Sequence, residues 1–145
     1  MGLRRSTARD RLPGVAGFKF EPRMMVLMPK AFGRSSGPMP PALDVDPLDP
    51  RFRAAQLQHR IANAVREEVL EQGSSLEQFL SSMDPVPPGM SYDRVIRIQR
   101  GETLMQLADV VTWASAFERV RKIIIDELGA MRAIPQDATP GLEQP

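Results

Sequence analysis

The sequence is poor in the residues that usually carry chemistry, since its 145 residues include no cysteine, one histidine, one tryptophan and one tyrosine. Without cysteine, the chain has no disulfide bond, no thiolate zinc site, no iron–sulfur cluster and no cysteine nucleophile. No apolar run reaches the roughly 18 residues that a membrane-spanning helix needs. The basic first residues are not followed by an apolar stretch, so we expect no secretory signal.

The motifs that mark catalysis are also missing. No glycine-rich phosphate loop precedes a predicted helix, and no nucleophile elbow is present. The acidic pairs Glu67-Glu68 and Asp126-Glu127 are sequence neighbours, whose side chains point about 100° apart on a helix. The lone His59 has no second histidine or cysteine beside which to bind a metal, so we place it on a helix surface. We therefore expect a protein that is not an enzyme and that needs no cofactor or metal.

The net charge of +1 hides an uneven distribution along the chain. Residues 1–34 carry a net charge of +6, and residues 35–50 carry −3. Residues 51–101 carry +1, and residues 102–145 carry −3. A basic arm is thus joined to a nearly neutral centre and an acidic end, which leaves nucleic-acid binding open.

Proline divides the chain at similar places. Eight of the fourteen prolines lie in residues 1–50, three in 85–88 and three in 135–145. This pattern predicts a basic, then proline-rich and partly disordered arm and linker over 1–50, and a disordered tail over 134–145. Residues 35–50 are expected to be an extended, solvated linker. For the apolar segment 18–28, a disordered arm and a small strand or hairpin that docks on the core or a partner both stay open.

The two proline-free stretches, 51–84 and 89–134, are where helices can run. Apolar residues recur there at three- and four-residue steps, which predicts an all-α domain of five helices over 51–133. The predicted helices cover residues 51–72, 75–83, 92–100, 103–116 and 117–131. The residues expected to face the core are Ala54, Leu57, Ile61, Ala62, Val65, Val69, Leu70, Leu76, Phe79, Leu80, Val95, Ile98, Leu104, Leu107, Ala108, Val111, Ala114, Val120, Ile123, Ile124, Leu128 and Met131.

Three further positions follow from local chemistry. Ser74 and Glu77 are expected to form a capping box that starts the second helix. Ser91 is expected to cap the third helix. Trp113 is expected to lie in the core or at a packing edge.

The stretch from Gly89 to Gly101 resembles the recognition helix of the Cro/lambda-repressor-like (Xre) helix-turn-helix family. The shared pattern is glycine, an apolar residue, a Ser or Thr cap, three exposed residues, a buried aliphatic residue, and an aliphatic-Gln-Arg-Gly ending. The resemblance extends over about residues 57–120 and implies a lambda-repressor-like five-helix fold. One departure is clear, because a triple-proline loop at 84–88 replaces the family's tight turn.

The resemblance implies specific contacts with DNA, because the second helix of this motif enters the major groove. Side chains that would read base edges are Tyr92, Asp93, Arg94 and Arg97. Groups that would contact phosphate are Ser91, Gln99, Arg100 and Thr103. Arginines of the arm that would follow the backbone or a minor groove are Arg4, Arg5, Arg9 and Arg11. A solvated helix face is the alternative for the arginines of the third helix, and a solvated tail for those of the arm.

The implied function is that of a sequence-specific regulator of transcription that binds double-stranded DNA, a repressor of bacterial, phage or plasmid origin. It would act in the cytoplasm at the nucleoid, as a homodimer. The dimer or partner surface expected on the last helix is Ile123, Ile124, Ile125 and Leu128. The alternative is a protein-interaction or assembly module on a helix-turn-helix-like scaffold, with a protein partner bound through the N-terminal arm at Met24–Met28.

Overall fold

In the computed structural model, residues 20–131 are described. Within this range the chain forms five α-helices and no β-strand, which confirms the all-α prediction. The helices are α1 (Pro50–Glu71), α2 (Leu76–Ser82), α3 (Tyr92–Gln99), α4 (Leu107–Ala116) and α5 (Glu118–Ala130). Two 3-10 turns, Pro22–Met25 and Pro29–Ala31, precede them. The predicted tail and the arm arginines Arg4, Arg5, Arg9 and Arg11 lie outside the described residues.

Helix α1 is the central element of the fold. Asp49 caps its start by accepting a hydrogen bond from the Arg51 backbone N–H, and Gly73, at a φ of 70°, follows its end. Ile61 and Val65 are buried as predicted, but the predicted stripe is too narrow. The polar residues Gln56, Gln58, His59 and Asn63 are buried too, whereas Ala54 and Leu70 are exposed. A helix buried over most of its circumference must be covered on both sides.

A second layer that covers α1 comes from residues 20–49. The prediction of an extended, solvated linker over 35–50 is therefore wrong at Met39, which is buried, while most of residues 43–50 are exposed. Val26, Phe32 and Met39 are buried with Phe52 and Ala55 of α1 in a small core of their own. No strand forms in this segment, which folds as the two 3-10 turns and one isolated antiparallel bridge between Val26 and Pro41. Proline favours this irregular path because it cannot donate to a strand ladder.

Buried amides on α1 fix the backbone of its neighbours. The Gln56 side chain accepts from the Met39 N–H at 2.8 Å and donates to the Met39 carbonyl at 2.9 Å. The Gln58 amide donates to the carbonyls of Ile98 and Thr103, and its oxygen accepts from the Met105 N–H at 2.7 Å. Most of these bonds satisfy main-chain groups that no helix pairs, whereas the Ile98 carbonyl also accepts from the Gly101 N–H at 3.0 Å.

His59 is wholly buried, so its predicted place on the surface is wrong. Its Nδ1 accepts from the Gly33 N–H at 2.8 Å, and its Nε2 donates to the Gly37 carbonyl at 2.9 Å. Its ring packs edge-on against Phe32, with the ring centroids 5.5 Å apart. Burial lowers the pKa of His59, which favours the neutral ring that these two bonds require. His59 therefore anchors the 33–37 loop on α1.

The main core lies on the other side of α1, between α1 and the remaining helices. Val95 and Ile98 of α3 are buried there, as predicted. Trp113 stacks on Phe117 with centroids 6.0 Å apart, and both rings contact Phe79 of α2. The predicted core position of Trp113 is confirmed.

One predicted helix start and one predicted capping pair are wrong. Helix α4 begins at Leu107 instead of residue 103, and it is capped by Gln106 together with Asp109. Helix α2 is capped by Ser75 with Gln78, one residue after the predicted pair Ser74 and Glu77.

The predicted inward face of α4 is also wrong. Leu107 is 78% exposed and Val111 is exposed as well, with Leu104 and Ala108. Asp109 and Trp113 point inward in their place. The large indole and the capping carboxylate decide the rotation of this helix, and the smaller aliphatic residues are turned outward.

We expect the free energy of unfolding to decrease as the pH is lowered from about 7.5 to about 5, because of His59. The folded protein keeps the ring neutral, since its pKa is lowered, whereas the unfolded chain, with a pKa near 6.5, takes up a proton. The stability that His59 contributes is fully present above about pH 6.5 and is lost as the pH falls. For one proton the loss is at most about 2 kcal/mol at pH 5. Urea titrations at the two pH values measure it.

The variant His59→Phe is the control for this experiment. It keeps the aromatic contact with Phe32 but removes the titrating group and both hydrogen bonds. It should be less stable at both pH values and show a smaller difference between them. The same pH dependence in both proteins would contradict the assignment to His59.

Candidate nucleic-acid interface

Helix α3 has the register that the sequence predicts. The Ser91 hydroxyl accepts from the Arg94 N–H at 3.3 Å and caps the helix start, and Met90 before it is buried. Val95 and Ile98 fix the inward face. The opposite side presents Tyr92, which is 41% exposed, with Asp93, Arg97 and Arg100. These side chains, together with the Ser91 cap, form the exposed face of α3.

Arg94 differs from the other predicted base-reading residues because its guanidinium is already bound. It donates to both carboxylate oxygens of Asp109, at 2.8 and 2.7 Å, and to the Gly89 carbonyl at 3.0 Å. This bidentate pair joins the start of α3 to the start of α4. The structure therefore places Arg94 in a packing role between these helices.

Asp109 serves two partners at once. Its Oδ2 also accepts from the Gln106 N–H at 2.8 Å and so caps α4. Burial raises the pKa of Asp109, but the hydrogen bonds from Arg94 and Gln106 outweigh that effect and leave the pKa below its usual value. The carboxylate is thus held in its charged form, and removal of the Arg94 side chain leaves it buried with the Gln106 N–H as its remaining partner and no opposite charge.

Two residues predicted to contact phosphate also serve the interior. The Gln99 amide donates to the Ala62 carbonyl at 2.9 Å, and its Oε1 is buried. The Thr103 carbonyl accepts from Gln58, and Thr103 is only partly exposed. Of the predicted phosphate contacts, Ser91 and Arg100 remain exposed.

The connection between α2 and α3 is long, as the proline loop in the sequence indicates. It covers residues 83–91, where the family has a tight turn of about four residues. Within it the Met90 N–H donates to the Pro87 carbonyl, and Gly89 has a φ of 82°, which favours glycine.

A groove beside α3 brings together arginines that are far apart in sequence. Arg34 from the N-terminal segment, Arg66 from α1 and Arg100 after α3 line it. Its volume is about 360 Å³, and Val69 and Ile96 supply part of its apolar wall. Nothing in the sequence indicates this groove, because the charge pattern assigns Arg34 to the basic arm, far from Arg66 and Arg100 along the chain.

The arginines of the described residues fall into two groups. Most of those away from α3 are paired, and Arg119 alone lies within 4 Å of three α1 carboxylates. Within residues 20–131, six arginines have no carboxylate within that distance. Two of them, Arg53 and Arg121, lie away from α3. We call the other four, Arg34, Arg66, Arg97 and Arg100, the basic cluster. None of these four forms an ion pair, although Asp93 shares the exposed face of α3 with Arg97.

The predicted dimer surface on α5 is split by the packing. Ile123 and Ile124 are partly buried against the main core. Ile125 is 71% exposed and Leu128 is 57% exposed. Residues three apart lie on one side of a helix, so these two form a short apolar strip.

We expect Arg94→Ala to lower the free energy of unfolding by about 3 kcal/mol, because it strands the buried Asp109 carboxylate. Arg97→Ala, one turn along the same helix, is the matched control and should change it by less than about 0.5 kcal/mol. Chemical denaturation measures both. An Arg94→Ala protein of unchanged stability would show that the ion pair is not structural and would return Arg94 to the base-reading set.

Comparison of the chain with models of protein families, with curated proteins and with solved structures gives no match. Across residues 20–131, no helix is long and apolar enough to cross a membrane. The same range contains no group of three or more His, Asp or Glu residues that could hold a metal ion. The interpretation of the site therefore depends on the exposed face of α3 and on the basic cluster.

Proposed function

We propose that the protein binds double-stranded DNA through the exposed face of α3 and regulates transcription as a repressor. The observation that carries this proposal is the basic cluster, in which Arg97 lies on the exposed face of α3 and Arg34, Arg66 and Arg100 line the groove beside it. Arginine is the residue best suited to bidentate contact with phosphate and with guanine. Elsewhere in residues 20–131, five of the seven arginines pair with a carboxylate, so this concentration of unpaired charge favours a polyanionic partner.

The roles within the site follow from exposure. Arg97, exposed on α3, would read base edges, and Tyr92 and Asp93 at the helix start would add apolar and acceptor contacts. Arg100 and the Ser91 cap would contact phosphate and set the register on the duplex. Arg94 would hold α3 against α4 without touching DNA.

A homodimer on a two-fold DNA site would supply the contact area that one small helix cannot. The apolar strip of Ile125 and Leu128 supports this arrangement, because it is the exposed part of the predicted dimer surface.

A second candidate function is protein interaction or assembly. It is favoured by apolar side chains that the fold leaves exposed in two other places. Leu107 and Val111 lie outward on α4, and Met24 and Met28 lie outward on the N-terminal segment. Methionine-rich surfaces adapt to varied partners.

Titration of a labelled random-sequence duplex at two salt concentrations tests the DNA proposal. Affinity should fall steeply with salt, because each neutralised phosphate releases bound counterion. The double variant Arg97→Ala, Arg100→Ala should weaken binding roughly a hundredfold at low salt, since two charge-assisted contacts are lost.

The matched control is Arg53→Ala, Lys122→Ala, which removes two positive charges outside the basic cluster. It should bind nearly as well as the wild type. Absence of binding by the wild type at low salt, or equal loss in the two double variants, would reject the DNA proposal and favour protein interaction.

We expect Ile125→Glu, Leu128→Glu to convert the dimer into a monomer, because charges at a buried apolar contact are costly. Analytical ultracentrifugation at several concentrations measures the change. Val111→Glu is the control on α4 and should leave the dimer intact. A monomer produced by Val111→Glu alone would move the contact to α4.

A further inference from the structure

We propose that the groove lined by Arg34, Arg66 and Arg100 is a binding site for a phosphate ester. The inference rests on the proposed function where the phosphate belongs to the DNA backbone. A free nucleotide offers the same chemistry and requires no DNA. The N-terminal segment would thereby become part of the functional face through Arg34.

The position of Arg34 is fixed by its neighbour Gly33. The Gly33 N–H is held by His59, and a Cβ at this residue would lie 2.4 Å from the Gln99 carbonyl oxygen. Gly33 also has a φ of 71°, a backbone conformation that favours glycine. The 33–37 loop therefore packs directly against the end of α3, with no room for a side chain at Gly33. Arg34 enters the groove from a backbone clamped between α1 and α3.

Arg66 is oriented as well. Its Nε and Nη2 both donate to Asn63 Oδ1, at 3.1 and 2.6 Å, and Asn63 in turn donates to Glu67. This leaves Nη1 without a hydrogen-bond partner in the described part of the chain. A guanidinium held on one edge loses little freedom when its other edge binds a ligand.

The groove's chemistry matches a phosphate joined to an organic body. Its lining includes three guanidinium groups and no carboxylate, so an anion would be attracted and a metal cation repelled. Arginine binds phosphate oxygens in a paired, directional manner. Val69, Leu70 and Ile96 form an apolar wall against which a sugar or base could pack. Ile96 is partly exposed but is not part of the exposed face of α3, and in this proposal it packs against the bound ligand.

Arg34→Ala tests the site, because this residue takes no part in the proposed base reading. Arg53→Ala, on another part of α1, removes the same charge as a control. Both proteins and the wild type are titrated with a random-sequence duplex at several salt concentrations. Each is also titrated with adenosine monophosphate and with inorganic phosphate, by calorimetry. Thermal unfolding confirms that each variant is folded.

If the groove holds a backbone phosphate, Arg34→Ala should lower DNA affinity about tenfold at low salt and reduce the salt slope by about one. If it holds a free nucleotide, the wild type should bind adenosine monophosphate and Arg34→Ala should abolish that binding. In both cases Arg53→Ala should behave like the wild type.

The proposal is overturned if Arg34→Ala and Arg53→Ala are indistinguishable in every titration. Failure of the proposed function gives a different result, because a wild type that binds no duplex can still bind adenosine monophosphate through Arg34. Binding of inorganic phosphate alone, unaffected by Arg34→Ala, counts against the groove.

Discussion

Three buried polar side chains within four residues of α1 hold the structure around the basic cluster. Gln56 binds the backbone of Met39. Gln58 binds the C-terminal end of α3 and the chain beyond it, and His59 binds the 33–37 loop. Most of these bonds satisfy a main-chain group that has no backbone partner, and leaving such a group buried and unpaired costs about 1–3 kcal/mol. The groove exists because Gln58 and His59 draw two separate segments onto the same helix.

The ion pairs separate the arginines that join helices from those that stay free at the surface. Arg94, Arg60 and Arg119 join helices to one another, and their carboxylate partners are thereby removed from the surface field. The exposed pairs among these add little stability by themselves. Their larger effect is on charge distribution, because they neutralise acids on α1 and α5 while the basic cluster stays uncompensated. A net charge of +1 is thus compatible with a strongly positive face.

The sequence predicts α3 well because its signals are local. A serine cap, two buried aliphatics three residues apart and a terminal glycine set its start, register and end. The position of Trp113 also follows from its size. Those features require no knowledge of the rest of the fold.

The errors share a different origin, since they concern residues whose surroundings are built from distant parts of the chain. His59 is buried by a loop 22–26 residues away in sequence. The face of α4 is decided by Asp109, whose partner Arg94 lies on another helix. Gln56 and Gln58 are polar, so the apolar pattern does not indicate that this side of α1 is buried under the N-terminal segment.

The long connection at 83–91 raises the question of what fixes the orientation of α3. Here both ends of α3 are held from elsewhere. Arg94 binds Gly89 and Asp109 at the start, and Gln58, Gln99 and Gly33 hold the end against α1. The angle of α3 is therefore a property of the tertiary core and the N-terminal segment. Substitutions at Gln58 or His59, which are buried away from the exposed face, would alter that face by moving α3 or the 33–37 loop.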